Sequence, residues 1–168
     1  MCTYVAAPAT VRVLSEMGAE VIKIESFAGD TQRTQGPGFG CELTDTEDPT
    51  IDLNNTNKNW VSLNLKDPEG LAIAKKMIGE ADIFMNNMRT AALKKLGLDY
   101  ETLHEEFPGL IWGQMRGYGE FGEFAHAPGY DAVCWAARGG VAGHLPREGH
   151  LPPPIPPAGL PATTTPPS

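Results

Sequence analysis

Apolar positions along the first part of the chain change period repeatedly, which predicts helices and strands in alternation. Pro8 to Met17 carries apolar residues at helical spacing and predicts a short helix that ends at Gly18. Glu20 to Ile24 follows as a strand with apolar side chains on both faces, as is typical of a parallel sheet covered by helices. Residues 25–56 predict mostly loop.

The alternation continues to Met115 and predicts a parallel α/β sheet flanked by helices. Further strands are predicted at Trp60 to Leu65, Ala81 to Met85 and Leu110 to Met115, with helices between them at about 68–79, 89–96 and 99–107. Strands separated by helices of this length favour right-handed parallel crossovers. The pattern therefore predicts an α/β fold.

The chain changes character after His144. A helix is predicted around Tyr130 to Arg138, whereas repeated prolines from Pro146 onward allow no continuous helix. We therefore expect one domain over residues 1–145 and an extended or disordered tail rich in Pro, Thr and Ala over residues 146–168.

Composition and charge exclude several classes of partner. The 168 residues include 13 Lys and Arg against 21 Asp and Glu, a net charge of -8, which disfavours nucleic acid. The sequence has no apolar run of the roughly 20 residues needed to cross a bilayer, and Met1 to Thr3 lacks the features of a signal peptide. The three cysteines and four histidines show no metal-ligand spacing. We expect a cytoplasmic protein without a metal.

Three loops that follow predicted strands form the candidate ligand site. They are Leu65–Lys66, Asn86 to Arg89, and Arg116 to Gly119. Parallel sheets bind ligands beyond the carboxyl ends of their strands, and the second loop leads into a helix start that favours anions. Asn and Gly are also ordinary loop residues, so the prediction depends on the three loops lying at one edge.

Several segments, in this order along the chain, resemble the family III CoA-transferases, the family that also contains α-methylacyl-CoA racemase. The resemblance covers about Thr3 to Gly159, and its segments are Gly18 to Glu25, Asn57–Lys58, Leu63 to Lys66, Ala81 to Phe84 with Asn87, Leu96 to Tyr100, Gly117 to Gly119, and Pro128 to Asp131. Ala137 to Val141 and the Gly29–Asp30 loop look most like the branch that acts on 2-hydroxyacyl-CoA and arylacyl-CoA substrates.

The resemblance implies a fold, a reaction and a set of contacts. The fold is a Rossmann-like large domain with a smaller second domain, in two interlocked subunits. CoA moves from an acyl-CoA donor to a carboxylic acid through an aspartyl nucleophile. The CoA contacts carry over by position to Val5, Ala6, Leu63, Asn64, Leu65, Lys66, Asn87, Met88, Arg89, Lys95, Tyr130 and Asp131.

Departures from the family pattern bear on activity. Lys95 replaces a family arginine near the CoA phosphates, which keeps the charge but loses the bidentate fork. Members begin with an apolar strand for which Met1 to Thr3 leaves no room, and Ala162 stands where the nucleophilic Asp is expected. The resemblance thus implies an N-terminal fragment without its first strand and second domain, inactive by itself.

Two alternative functions remain open. The first is a non-catalytic CoA-binding or interaction module, motivated by the absent nucleophile. The second is an acyl-CoA racemase relative, but Tyr130 occupies the position of the racemase histidine. A phenol with an ordinary pKa near ~10 is a poor base at neutral pH, which favours transfer over racemisation.

Overall fold

Two pairs of parallel strands form the framework of residues 1–115. In the computed structural model, β1 (Val21–Glu25) pairs with β2 (Lys58–Ser62), and β3 (Ile83–Asn86) pairs with β4 (Ile111–Gln114). Both pairs are parallel, which confirms the α/β prediction. Among the described residues the two pairs are not hydrogen-bonded to each other.

The structure describes residues 1–42, 44, 47–130 and 132–140. The chain divides into two units, Met1–Met115 and Arg116–Ser168. The predicted boundary between residues 145 and 146, and the predicted Pro-rich tail, lie outside the described residues. The helices are α1 (Ala6–Glu16), α2 (Pro49–Asn55), α3 (Pro68–Gly79), α4 (Thr90–Leu96) and α5 (Tyr100–Glu106), with 3-10 turns at Thr31–Thr34 and Gly36–Phe39 and a π-helical segment at Ala132–Ala137.

Helix α2 falls in a region that the sequence pattern predicts as loop. Its start has a clear local cause, because the Asp48 carboxylate accepts from the backbone N–H of Ile51 at 3.3 Å and Pro49 occupies the first helical position. The helix has only seven residues, too few to establish an apolar period. Its capping signal is the same one that correctly predicts α3 after Asp67.

The two strand pairs differ in what is buried beside them: apolar side chains beside one pair and an ion pair beside the other. Beside β3 and β4 lies an apolar cluster of Ile78, Phe84, Leu93, Leu98, Leu103 and Leu110. Beside β1, the Lys23 ammonium lies 2.6 Å from the Asp30 carboxylate, and both side chains are almost fully buried. The indole of Trp60 on β2 lies 5.2 Å from the Lys23 nitrogen. A buried ion pair therefore lies beside β1, whereas apolar side chains pack beside β3 and β4.

A second buried lysine joins α1 to α2. The Lys58 ammonium donates to the carbonyls of Pro8 at 2.7 Å and Asn54 at 2.8 Å, and to the side-chain oxygen of Asn55 at 2.9 Å. Burial, followed by the positive charge of Lys23, lowers the pKa of Lys58 to about 8. The three acceptors fix the two helices at the amino end of β2.

Candidate functional site

Hydrogen bonds connect the residues just before α1 to the carboxyl end of β3. Asn87 comes directly after this strand, and its side-chain oxygen accepts from the backbone N–H of Thr3 at 3.0 Å. Its side-chain nitrogen donates back to the Thr3 carbonyl at 2.8 Å. This reciprocal pair places Val5 and Ala6, predicted to contact CoA, next to the Asn87 loop, also predicted to do so.

The same chain segment is hydrogen-bonded to the loop that follows β1. The two carboxylate oxygens of Asp30 accept from the backbone N–H of Tyr4 at 3.0 and 3.2 Å. Asp30 also accepts from the Gln32 backbone at 3.0 Å and from the Lys23 ammonium at 2.6 Å. Tyr4 has a φ of 68°, a conformation that costs a non-glycine residue free energy and that these contacts fix.

Helix α1 begins without a capping side chain. Val5 is its N-cap residue and makes no side-chain hydrogen bond, whereas the starts of α2, α3 and α5 are capped by Asp48, Asp67 and Asp99. Ala6, the first residue of this 11-residue helix, is exposed, and no side chain caps the positive end of the helix dipole. The nearby Asp30 carboxylate bonds the preceding Tyr4 backbone and is paired with the Lys23 ammonium, so it does not cap the helix itself.

The predicted contacts at 63–66 form a turn just beyond β2. Leu63 extends the ladder by donating from its backbone N–H to the Glu25 carbonyl at 2.8 Å. The side-chain oxygen of Asn64 accepts from the Lys66 backbone at 3.2 Å, and Leu65 lies within the turn. A Cβ at Gly70 would lie 2.3 Å from the Asn64 carbonyl, so only glycine lets α3 approach this turn. The turn leaves Lys66 exposed.

The predicted contacts at 88, 89 and 95 are on or next to α4. The Met88 carbonyl accepts from the side-chain nitrogen of Gln114 at 2.7 Å, which joins the ends of β3 and β4. Arg89 is the N-cap residue of α4 and is exposed, as is Lys95 near its other end. Within the described part of the chain, Lys66, Arg89 and Lys95 form no salt bridge with a carboxylate. Lys95 is in the last turn of α4, at the end opposite Arg89.

Two buried amide oxygens mark the ends of the paired strands β3 and β4. Asn86 and Gln114 lie opposite each other in the ladder. The side-chain oxygen of each is buried and has no hydrogen-bond partner among the described residues. Buried acceptors are usually satisfied, so both suit a ligand donor or a water. The sequence pattern draws attention to the loop from Asn86 onward but gives no reason to select Gln114.

The remaining predicted residues lie in the second unit or outside the described residues. Tyr130 is exposed, and Asp131 and Ala162 are outside the described residues. In the Arg116 to Gly119 loop, a Cβ at Gly117 would lie 2.5 Å from the Gly129 Cα, so two backbone segments meet there. The Arg116 guanidinium contacts the Glu120 carboxylate and the Ala125 carbonyl.

The described part of the chain contains neither a metal-binding cluster nor a membrane-spanning helix. Across the described ranges, no group of three His, Cys, Asp or Glu side chains could hold a metal ion. No helix in those same ranges is long and apolar enough to cross a bilayer.

Comparison with known proteins identifies the family. The model of CoA-transferase family III matches residues 1–160. The chain belongs to this family. It is 48% identical over 157 residues to a cinnamoyl-CoA:phenyllactate CoA-transferase of Clostridium sporogenes, covering 94% of this chain. It is 42% identical over 152 residues to an (R)-2-hydroxy-4-methylpentanoate CoA-transferase of Clostridioides difficile, covering 90% of this chain. The sequence resemblance is thereby confirmed at the level of the family.

The match covers a minority of each relative. The chain spans 38% of the length of both transferases. Among solved structures, a CAIB/BAIF family protein from Brucella suis superimposes with a TM-score of 0.78 at 29% identity, over 92% of this chain and 41% of that protein. This CoA-transferase family III chain therefore has the fold of the corresponding part of a longer relative.

Proposed function

We propose that this chain forms the CoA-binding part of an enzyme that moves CoA from an acyl-CoA to a carboxylic acid. The supporting observation is a set of three hydrogen-bonded links, from Leu63 to Glu25, from Tyr4 to Asp30 and from Thr3 to Asn87. These links bring the ends of β1, β2 and β3 near the uncapped start of α1. CoA carries phosphates, amides and hydroxyls. The exposed helix start and the cations of Lys66 and Arg89 suit the phosphates, and the buried oxygens of Asn86 and Gln114 suit donors.

The reaction that the family membership supports proceeds through an enzyme aspartate. Its carboxylate attacks the donor thioester, the CoA thiolate leaves, and an acyl-aspartyl anhydride forms. The thiolate then attacks the aspartyl carbonyl, which releases the donor acid and leaves an aspartyl-CoA thioester. The acceptor carboxylate reverses these steps and regenerates the aspartate. Because Ala162 stands at the expected position of that residue, this chain binds CoA without completing the transfer.

The relatives suggest the class of acid. One relative is named for an arylacyl-CoA and a 2-hydroxy acid, and the other is named for a branched 2-hydroxy acid. We propose that the complete enzyme acts on 2-hydroxyacyl or arylacyl groups. We further propose that it is an interlocked homodimer and that it is located in the cytoplasm.

Calorimetric titration with CoA tests the binding site. Replacing Lys66 or Arg89 by Ala should weaken binding roughly tenfold each, because a hydrogen bond to a charged group contributes about 1.5 kcal/mol or more. Lys76→Ala is the matched control: Lys76 is exposed but lies in the last turn of α3, at the end opposite the turn at 63–66. Absence of CoA binding by the unaltered chain, or equal losses in all three variants, would contradict the proposal.

A non-catalytic CoA-binding module is the second candidate, and Ala162 favours it. Incubation with an arylacyl-CoA and a 2-hydroxy acid, followed by mass spectrometry, tests the lack of transfer that both candidates expect of this chain. CoA binding without formation of a new thioester agrees with both candidates, and tight binding by the chain alone favours the module. Formation of the 2-hydroxyacyl-CoA would show that another group replaces the aspartate.

A further inference from the structure

Four charged side chains form a cluster around the carboxyl end of β1. They are two cations and two carboxylates: Lys23, Glu25, Asp30 and Arg33. Three of the side chains are almost fully buried, with exposed fractions of 3% for Lys23, 7% for Glu25 and 0% for Asp30. The Arg33 side chain is 41% exposed. The four charges balance, and Arg33 is the member of the cluster that reaches solvent.

The short 3-10 turn after β1 brings Arg33 back to Glu25. The Asp30 carboxylate caps this turn by accepting from the Gln32 backbone N–H at 3.0 Å, and the Arg33 backbone N–H donates to the Asp30 carbonyl at 3.0 Å. Two guanidinium nitrogens of Arg33 lie 3.1 and 3.3 Å from Oε2 of Glu25. The guanidinium also lies 4.8 Å from the centre of the Trp60 ring, a favourable cation–π contact. A carboxylate and an aromatic ring therefore hold the Arg33 side chain in place.

The Lys23 ammonium is near two carboxylates at unequal distances. It lies 2.6 Å from Oδ2 of Asp30 and 3.4 Å from Oε1 of Glu25, a buried oxygen that has no hydrogen-bond partner among the described residues. Attraction between opposite charges falls with distance and grows where water is excluded. Because Arg33 neutralises Glu25, the Lys23 ammonium stays with Asp30. Without Arg33, two buried carboxylates would share one ammonium.

The pairing of Lys23 with Asp30 bears on the start of α1. The Asp30 carboxylate also accepts from the backbone N–H of Tyr4, which has the unusual φ of 68°. Val5 and Ala6, in the segment that is proposed to bind CoA, follow directly. A carboxylate that is held less firmly by Lys23 would therefore leave this segment less fixed.

We propose that Arg33 is a positioning residue for CoA binding: by neutralising Glu25 it keeps the Tyr4 backbone fixed at the start of α1. The effect is transmitted through the buried pair of Lys23 and Asp30. Arg33 itself does not contact CoA in this role. Because CoA binding is the proposed function, the role of Arg33 in the site rests on that function.

Amide hydrogen exchange at Tyr4 measures the effect of Arg33 without CoA. Arg33→Gln should speed exchange of the Tyr4 amide by about tenfold, because its carboxylate acceptor is held less firmly. The amide of Phe84 in β3 should keep its rate, which shows that the variant is folded. Arg12→Gln is the matched control, because Arg12 also pairs with a glutamate, Glu16 at 2.7 Å, within α1. An unchanged Tyr4 rate in Arg33→Gln, or the same increase in Arg12→Gln, would overturn the proposal.

A conservative variant tests whether the charge of Arg33 is what matters. Arg33→Lys keeps the positive charge and loses the planar fork, so Tyr4 exchange should rise less than in Arg33→Gln. This milder change also keeps the test decisive if Arg33→Gln does not fold. An Arg33→Lys protein with Phe84 protected and Tyr4 exchange at least about tenfold faster would show that charge is not the cause, and would overturn the proposal.

A second substitution separates positioning from direct contact with CoA. By calorimetry, Arg33→Gln should weaken CoA binding about fivefold. Adding Glu25→Gln should restore most of the affinity, because no unpaired carboxylate then draws Lys23 away from its partner. A guanidinium that bonded a CoA phosphate could not be replaced in this way, so absence of rescue would overturn the proposal. Absence of CoA binding by the unaltered chain would contradict the proposed function, and Tyr4 exchange would still decide whether Arg33 fixes the segment.

Discussion

Asp30 is the single side chain on which most of the site geometry depends. Its carboxylate accepts from two backbone groups and from the Lys23 ammonium, and it is 2% exposed. Removing it with Asp30→Ala leaves a buried ammonium whose remaining carboxylate neighbour, among the described residues, is Glu25 at 3.4 Å. We expect a loss of about 3 kcal/mol in the free energy of unfolding, measured by urea titration.

Matched variants separate this effect from ordinary capping. Asp67 caps α3 at the surface, so Asp67→Ala should cost only about 1 kcal/mol. Adding Lys23→Met to Asp30→Ala should restore part of the loss because the uncompensated charge is removed. Similar costs for Asp30→Ala and Asp67→Ala would show that the buried pair contributes nothing special.

Lys58 should make stability depend on pH in the alkaline range. Its pKa is lowered from 10.5 to about 8 in the folded protein, so between these values the unfolded chain binds more protons than the folded one. Stability from this group therefore rises as pH increases from about 8 to 10.5. Urea titrations at pH 7.5, 9 and 10 should show the unaltered chain gaining stability relative to Lys58→Met. A constant difference between the two proteins would contradict the lowered pKa.

At the scale of secondary-structure elements, the sequence predicts those features that depend on neighbouring residues, such as helix starts. Asp67 followed by Pro68, and Asp99 before α5, mark helix starts that the structure confirms. Strand β2 begins two residues and ends three residues before the predicted strand. Its start includes Lys58, which finds three buried acceptors at a position that a hydrophobic pattern treats as polar. Long-range partners such as these leave no local pattern.

In the candidate site too, features set by neighbouring residues are predictable and features set by long-range pairing are not. The loop from Asn86 to Arg89 is predictable because it follows an apolar strand, and the structure does place Asn87 at the start of α1. Gln114 becomes a candidate site residue only because it lies opposite Asn86 in the strand register. That pairing joins two residues separated by 27 residues of intervening chain. Residues whose importance comes from a strand register cannot be selected from one sequence.

At the scale of the whole molecule, net charge and local charge act against each other. The net charge of -8 should repel anionic CoA at long range, whereas in the proposed site the exposed cations of Lys66, Arg89 and Lys95 should attract its phosphates at short range. Salt screens both effects, but the long-range part is already largely screened at 0.1 M, where the Debye length is about 10 Å. The local attraction should therefore dominate the response to added salt.

This balance predicts a specific salt dependence of CoA binding. Between 50 and 400 mM KCl the affinity of the unaltered chain should fall, by roughly severalfold, as contacts with the phosphates are screened. Arg89→Ala should give a shallower fall, because less local attraction remains while the repulsion is still relieved. Lys76→Ala makes the same change in net charge away from the strand ends and should keep the original slope. Calorimetry at three salt concentrations measures all three slopes. If Arg89→Ala and Lys76→Ala respond identically, net charge rather than a local phosphate site governs CoA binding.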